Sequence, residues 1–334
     1  MANSLFLFSE HGNARAELAE LYALQKSDRT PEEKKRIQAD MLRCGKEYGF
    51  TFKEYMRYGF ERKTPEEQHT FISDKEHVRF CERLNAPETH TLLDNKYSTY
   101  LFFKPYFRRE AMLVQPAAAD AFLPFAAAHP SLMIKPNEDW GGAAVTAAYL
   151  KDYDSAGAML EALLRDYPEG FLAEEKLSNA GVLYDVHPSS LNTLRVSTIR
   201  LPDGVHVIHP RVRIGCGGSV VDNISVGGFQ GQVDTGTGEV ITACDAAGGR
   251  CDVHPDTGVR ITGMKIPDWQ EAVAMTKELA AAVDGLHYGG WDIAYTDRGW
   301  VLVEGNDLAQ FGWQTVEQKG CRAEFERYLE ILGL

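Results

Sequence analysis

The apolar and polar positions divide the chain into two textures. Residues 13–90 read as helices, and three of their starts carry a capping-box pattern: Thr30-Pro31-Glu32-Glu33, Thr64-Pro65-Glu66-Glu67 and Ser73-Asp74-Lys75-Glu76. In such a box the first hydroxyl caps the N3 amide while the N3 glutamate reaches back. The aromatics Tyr48, Phe50, Phe52, Tyr55, Tyr58 and Phe60 crowd the stretch between the first two boxes and read as core packing. From about residue 91 short apolar runs take over, at 131–135, 143–150, 171–175, 193–200, 205–209, 211–216, 288–294 and 300–304. Runs of this length bounded by turn residues predict strands. Helical patterns intervene at 154–167 and 268–283, the second with its own box in Asp268 and Glu271, and a last amphipathic helix covers 322–331. Strands that outnumber helices and follow one another closely predict an α+β fold with mostly antiparallel pairing.

Composition narrows the class. With 334 residues the chain suits two packed lobes and an appendage. The net charge of −13 argues against a nucleic-acid surface, which needs clustered Lys and Arg. The cysteines at 44, 81, 216, 244, 251 and 321 form no C-x-x-C pair, so they read as reduced thiols. No basic region precedes the short apolar run at the N-terminus, and the most apolar stretch, 111–134, is broken by Pro116, Asp120, Pro124 and His129. Neither a signal peptide nor a membrane span is expected, and the expected location is cytoplasmic.

The chemistry is concentrated near the C-terminal end. Residues 289–294 read as a strand, 296–299 as a turn and 300–304 as the return strand, which sets Asp292 roughly opposite Glu304. Glu304 and Asn306 lie two apart and share a face if the strand continues. Two carboxylates and an amide oxygen at one sheet end suit Mg²⁺, although on these residues alone a hairpin with solvent-facing acids stands equally open. Upstream, Leu132-Met133-Ile134-Lys135-Pro136 delivers a lysine from a strand, and Trp140-Gly141-Gly142-Ala143 forms a small glycine loop. A lysine beside exposed amides can hold phosphate oxygens, although the Walker pattern is absent. Leu93-Asp94-Asn95-Lys96 brings a second lysine, Glu174-Glu175-Lys176-Leu177 ends a strand in acids, Arg195 and Arg213 ride on alternating strands, and Asp222-Asn223 precedes Gly227-Gly228. The histidines at 187, 206, 209, 254 and 287 are scattered.

The order of these pieces resembles the ATP-grasp superfamily, closest to the sugar-transfer-associated ATP-grasp family. The flavour is carried by Asn192-Thr193-Leu194-Arg195, Asp222-Asn223 with Gly227-Gly228, Gly290-Trp291-Asp292 and Val303-Glu304-Gly305-Asn306. The resemblance covers about residues 70–320 and implies two α+β lobes gripping ATP between antiparallel sheets. The expected partition is an N-terminal helical region 1–90, a small lobe with the glycine loop 91–175, and a large lobe with the metal site 176–334. It implies that Lys96 and Lys135 contact the ATP phosphates and that the Gly141-Gly142 loop closes over them. Glu174, Glu175 and Leu177 would hold the adenine, mainly by backbone, Asp185 the ribose, and Asn223 would lie at the nucleotide. Asp292, Glu304 and Asn306 would bind one or two Mg²⁺ ions. Arg195 and Arg213 would face the acceptor carboxylate and the transferred phosphoryl group.

Two features depart from the pattern. The N-terminal lobe is helical where many such ligases are Rossmann-like, and Asp307-Leu308-Ala309-Gln310 follows E-x-N where some relatives place an arginine. The function implied is an ADP-forming carboxylate–amine ligase acting on small-molecule carboxylate and amine substrates through an acyl phosphate. The alternatives are an ATP-grasp kinase and a non-catalytic nucleotide-binding module. Acidic chains of this kind are often homodimers.

Overall fold

The computed structural model describes residues 19–138, 145–224 and 227–334. It divides into two compact units.

The first unit comprises, of the described residues, 19–83, 247–249 and 310–334. Helices Pro31–Tyr48, Phe52–Arg57 and Pro65–His69 start on Thr30, Thr51 and Thr64, and each has both halves of the capping box. The Thr51–Glu54 box is an addition to the sequence reading. In the Ser73 pattern the hydroxyl accepts from the Glu76 amide at 3.3 Å, but the Glu76 carboxylate pairs with Arg322 instead. The aromatic run forms this unit's core: Phe50, Tyr55, Tyr58, Phe60 and Phe71 are at most 2% exposed, and Phe50 meets Phe60 edge to face at 4.9 Å. Edge-to-face contact is the arrangement that aromatic quadrupoles favour. The segment 310–334, with helices Trp313–Glu317 and Arg322–Leu332, belongs to this unit, whereas the sequence partition carried it with the large lobe.

The second unit holds two antiparallel sheets. The smaller contains β1 (Ala111–Val114), β2 (Ser131–Lys135), β3 (Thr146–Tyr149) and β4 (Phe171–Glu175), in the order β1-β4-β2-β3. Alternation sends Leu132, Ile134, Phe171 and Ala173 into a core with helices Phe122–Ala128 and Ala156–Asp166. Lys135 and Glu174 therefore share the opposite face, with Lys135 opposite Leu172 and Glu174 opposite Met133.

The larger sheet contains β5 (Thr193–Leu201), β6 (Gly204–Ile214), β7 (Phe229–Val233), β8 (Val240–Cys244), β9 (Tyr288–Thr296) and β10 (Gly299–Asn306), in the order β10-β9-β5-β6-β7-β8. One face buries Leu194, Val212, Trp291, Ile293 and Leu302 with helix Trp269–Ala282. That helix starts at Asp268, as the sequence suggests, but not through a capping box. Asp268 has φ of +43° and makes no cap bond, and its carboxylate accepts from the Tyr295 hydroxyl. The sheet's other face carries the site's charged residues beside a small apolar cluster of Leu177, Ala294 and Val301.

Candidate active site

Strand pairing lines up one row of side chains across the polar face. Glu304 opposes Asp292, Asp292 opposes Arg195, Arg195 opposes Arg211 and Arg211 opposes Gln232. Residues directly opposite share a face, so this row is a consequence of register. A β-bulge decides it on β10. Leu302 opposes Ile293 in the core, and the register shifts at Val303 so that Glu304 meets Asp292. Without that shift Glu304 would follow Leu302 to the core face. The carbonyls at the bulge are used: the Arg109 guanidinium donates to Leu302 O at 2.6 Å and Val303 O at 3.4 Å.

The row is held by ion pairs. Arg195 donates to both carboxylate oxygens of Asp292, and Arg213 adds a contact at 3.0 Å. Burial would raise the Asp292 pKa, but Arg195 and Arg213 overcome it and hold the carboxyl below its ordinary range. Arg213 also pairs with Asp222 at 2.5 Å, and Asp222 accepts from the Thr193 amide and hydroxyl at 2.9 and 2.5 Å. Burial opposes the charge on Arg213, but Asp222 and Asp292 raise its pKa. Arg211 is 4% exposed, and burial together with the charges of Arg195 and Arg213 pushes its pKa down to about 9. It stays charged at neutral pH in an environment that an incoming anion would improve.

The other expected metal-site residues lie beside this row. Glu304 is half-buried, and among the described residues no hydrogen bond or ion pair engages its carboxylate. Asn306 stands two residues on, opposite Gly290, with its Nδ2 buried and without a hydrogen-bond partner. Among the described residues no three His, Cys, Asp or Glu side chains group as a metal site. The arrangement is two carboxylates and one amide.

On the small sheet Lys135 Nζ meets Glu174 at 2.8 Å, and Arg109 meets the same carboxylate oxygen at 2.9 Å. Burial would raise Glu174, but Arg109 and Lys135 hold it at about 2. Arg109 therefore joins β4 to β10. Arg298 adds a second tie, donating to Glu175 at 2.5 Å and to Arg108 O at 2.7 Å. The Glu175 amide is taken by Glu110 O, whereas the Leu177 peptide enters no hydrogen bond among the described residues. Lys96 opens helix Lys96–Phe102, and its amide donates to Asn137 O at 3.2 Å, beside the loop that follows Lys135.

Not every expected residue joins these groups. Asp185 is exposed on helix Val182–Val186 and bonds to none of the others. Asn223 is half-buried, and its carbonyl accepts from Gly228 at 3.3 Å; its neighbour Asp222 is the residue that fixes Arg213. A Cβ on Gly228 would lie 2.8–3.0 Å from three carbonyl oxygens, which explains the glycine there. Gly141 and Gly142 lie outside the described residues. His187 is bound to Ser190 at 2.7 Å and Gly217 O at 2.9 Å, in a buried network centred on Asn192. Sequence reasoning missed Arg109, Arg211, Asp222 and Arg298. Arg211 carried a signal, because it stands two residues before Arg213 on an alternating strand, and Asp222 stood in a quoted motif without a role of its own.

A family model described as sugar-transfer associated ATP-grasp matches residues 75–328. The chain belongs to this family. As an ATP-grasp protein it has the α+β architecture expected of it, and no curated protein matches it. Among solved structures it is similar to D-alanyl-alanine synthetase A from Vibrio cholerae O1 biovar eltor, at 12% identity and a TM-score of 0.47 over 75% of this chain and 66% of that one. It is similar to the ATP-grasp ligase PsnB complexed with minimal precursor, at 18% identity and a TM-score of 0.44 over 74% and 64%. N5-carboxyaminoimidazole synthase from Aspergillus clavatus matches at 11% identity and a TM-score of 0.43 over 71% and 51%. The ATP-grasp chain covers less than two thirds of the length of each of these structures. No described helix is long and apolar enough to cross a membrane.

Proposed function

We propose that this protein is an ATP- and Mg²⁺-dependent carboxylate–amine ligase that forms ADP and works through an acyl phosphate. The observation that carries the reading is the row Glu304, Asp292, Arg195, Arg211, with Arg213 beside it, on one face of the large sheet. It sets oxygen donors for a cation next to guanidinium groups for an anion. That pairing is what transfer of a phosphoryl group to a carboxylate requires.

The residues fit a magnesium site. Glu304 has an uncommitted carboxylate among the described residues, Asn306 stands two residues on along the same strand with an amide oxygen to offer, and Asp292 stays ionised between its arginines. Hard oxygen donors of this kind suit Mg²⁺, which usually adds phosphate oxygens and water. Bound there, one or two ions would neutralise charge on the phosphates. Lys96 and Lys135 would face the phosphates, Glu175 and Leu177 would hold the adenine by backbone and Asp185 the ribose, and Asn223 would border the nucleotide.

The chemistry follows from these positions. A carboxylate is a poor acyl donor because its oxygen leaves badly. Arg195 and Arg213 orient it, and its oxygen attacks the γ-phosphoryl group of ATP to give the acyl phosphate and ADP. An amine then forms the C–N bond, and phosphate departs with the electron pair of the C–O bond. Positioning and fixed charge do most of the work, and no protein nucleophile is needed. The six cysteines form no disulfide among the described residues, which agrees with a cytoplasmic location.

The test is ADP release with pooled carboxylates, with and without hydroxylamine. Hydroxamate appearing with ADP is the expected result. A stable phosphorylated product without hydroxamate would make the protein a kinase.

A further inference from the structure

Glu304 owes its place on the site face to the bulge on β10, and β10 is an end strand of the large sheet. A bulge leaves part of the ladder unmade, and an end strand has no second neighbour to complete it. Here a side chain serves in place of a strand. Arg109 stands two residues before Ala111, which opens β1 and opposes Glu174. Its guanidinium donates to two consecutive carbonyls, Leu302 O at 2.6 Å and Val303 O at 3.4 Å. A regular strand sends consecutive carbonyls to opposite edges, so the contact is made to the bulged backbone and not to a plain edge.

The rest of the guanidinium is committed to the small sheet. Its Nε and Nη2 donate to one Glu174 oxygen at 3.2 and 2.9 Å, and Lys135 Nζ donates to the same oxygen at 2.8 Å. The buried Phe107 ring lies 4.7 Å from the guanidinium and restrains it. Arginine carries five N–H donors in a rigid fork, whereas a lysine could satisfy Glu174 or the carbonyls but not both. The two cations on Glu174 differ in freedom. The Arg109 side chain is 2% exposed and the Lys135 side chain 14%. Lys135 can turn to an incoming phosphate while Arg109 stays on Glu174, so nucleotide binding leaves the contact to the bulge in place.

We propose that Arg109 is a positioning residue that holds Glu304 at the cation site by capping the β10 bulge, an inference that rests on the magnesium reading above. In this role Arg109 touches neither the ion nor the nucleotide. With the cap in place Glu304 stands opposite Asp292. Without it the Leu302 and Val303 carbonyls lose a charged donor, and the regular register that returns Glu304 to the core face competes. Asp292 keeps its place in either register, because Arg195 and Arg213 hold it independently. The loss therefore falls on the cation, and the groups assigned to the nucleotide keep their geometry.

Two variants test this. Arg109→Lys keeps a cation for Glu174, and Arg109→Gln keeps N–H donors while Lys135 neutralises Glu174. Circular dichroism sets a temperature at which the variants are folded, and either one carries the test. Mn²⁺ binding to the ADP complex is measured by electron paramagnetic resonance, and ADP binding without metal by calorimetry. Wild type should bind Mn²⁺ and Glu304→Gln should lose it, while the Arg109 variants should weaken Mn²⁺ about 10- to 100-fold and keep ADP binding within about threefold. Hydrogen exchange should quicken in β10 peptides and not in β5 peptides. Unchanged Mn²⁺ affinity, equal losses of Mn²⁺ and ADP, or exchange that quickens in β5 as well would overturn the role of Arg109. Glu304→Gln binding Mn²⁺ as tightly as wild type would remove the magnesium reading itself, and this role with it.

Discussion

Asp292 and Glu174 are the buried acids on which the site's charge arrangement turns, and each is held ionised by two basic partners. Glu174 has its pKa lowered from 4.5 to about 2. A depressed carboxyl contributes stability above its unfolded pKa and loses it as pH falls toward the folded one. Its share, roughly 3 kcal/mol at about 1.4 per unit, should therefore vanish between pH about 4.5 and 2. Glu174→Gln would leave Arg109 and Lys135 buried without their counter-charge. We expect it to cost about 3 kcal/mol, a fall in Tm of about 6–12 °C, by thermal denaturation at pH 7. Glu304 differs because no hydrogen bond or ion pair among the described residues engages its carboxylate. Glu304→Gln should abolish turnover and leave Tm and circular dichroism unchanged, and retained activity would dissolve the metal-site assignment. Residue types and spacing singled out Asp292, Glu304 and Asn306 as oxygen donors at a sheet end, and the register sets Glu304 opposite Asp292 as that spacing suggests. Arg109, and the pairing of Asp222 with Arg213, stayed hidden because the partners lie 65 and 9 residues apart, and no local pattern encodes such a pairing.

At the scale of elements, the period-two and helical patterns were readable, and the bulge on β10 was not. Plain alternation along Trp300, Leu302 and Glu304 puts the glutamate on the core face with Leu302; the extra residue at Val303 moves it to Asp292. A bulge depends on what the partner strand and Arg109 supply, so the single strand does not disclose it. The Asp268 box failed for a related reason, since the Tyr295 hydroxyl from another strand claims the carboxylate. The loop from Asp222 to Gly228 offers a prediction at this scale. Gly228→Ala would press on Ile214, Asp222 and Asn223 carbonyls, displace Asp222 and loosen Arg213. Turnover should fall about tenfold or more while ATP binding, measured by calorimetry, holds.

For the whole molecule, the antiparallel α+β character and the ATP-grasp order were legible, since both rest on local periodicity and motif sequence. The assignment of 310–334 to the helical unit was not, because it depends on contacts such as Gln314 with Ile72, 242 residues apart. The two units also answer pH in opposite directions. In the helical unit Glu54 is 2% exposed, and burial, with Asp74 second, raises its pKa to about 7. A raised carboxyl contributes stability that is full below its unfolded pKa and is lost as pH rises through the folded one. Thermal scans should therefore show this unit weakening between pH about 4.5 and 7, and Glu54→Gln should flatten that slope.

The central claim is that ATP activates a carboxylate by phosphorylating its oxygen. The direct measurement supplies carboxylates labelled with ¹⁸O together with ATP, Mg²⁺ and an amine pool, and follows the label by mass spectrometry. Acyl-phosphate chemistry sends one ¹⁸O from the carboxylate into the inorganic phosphate for each amide formed. Phosphate released without label would contradict it.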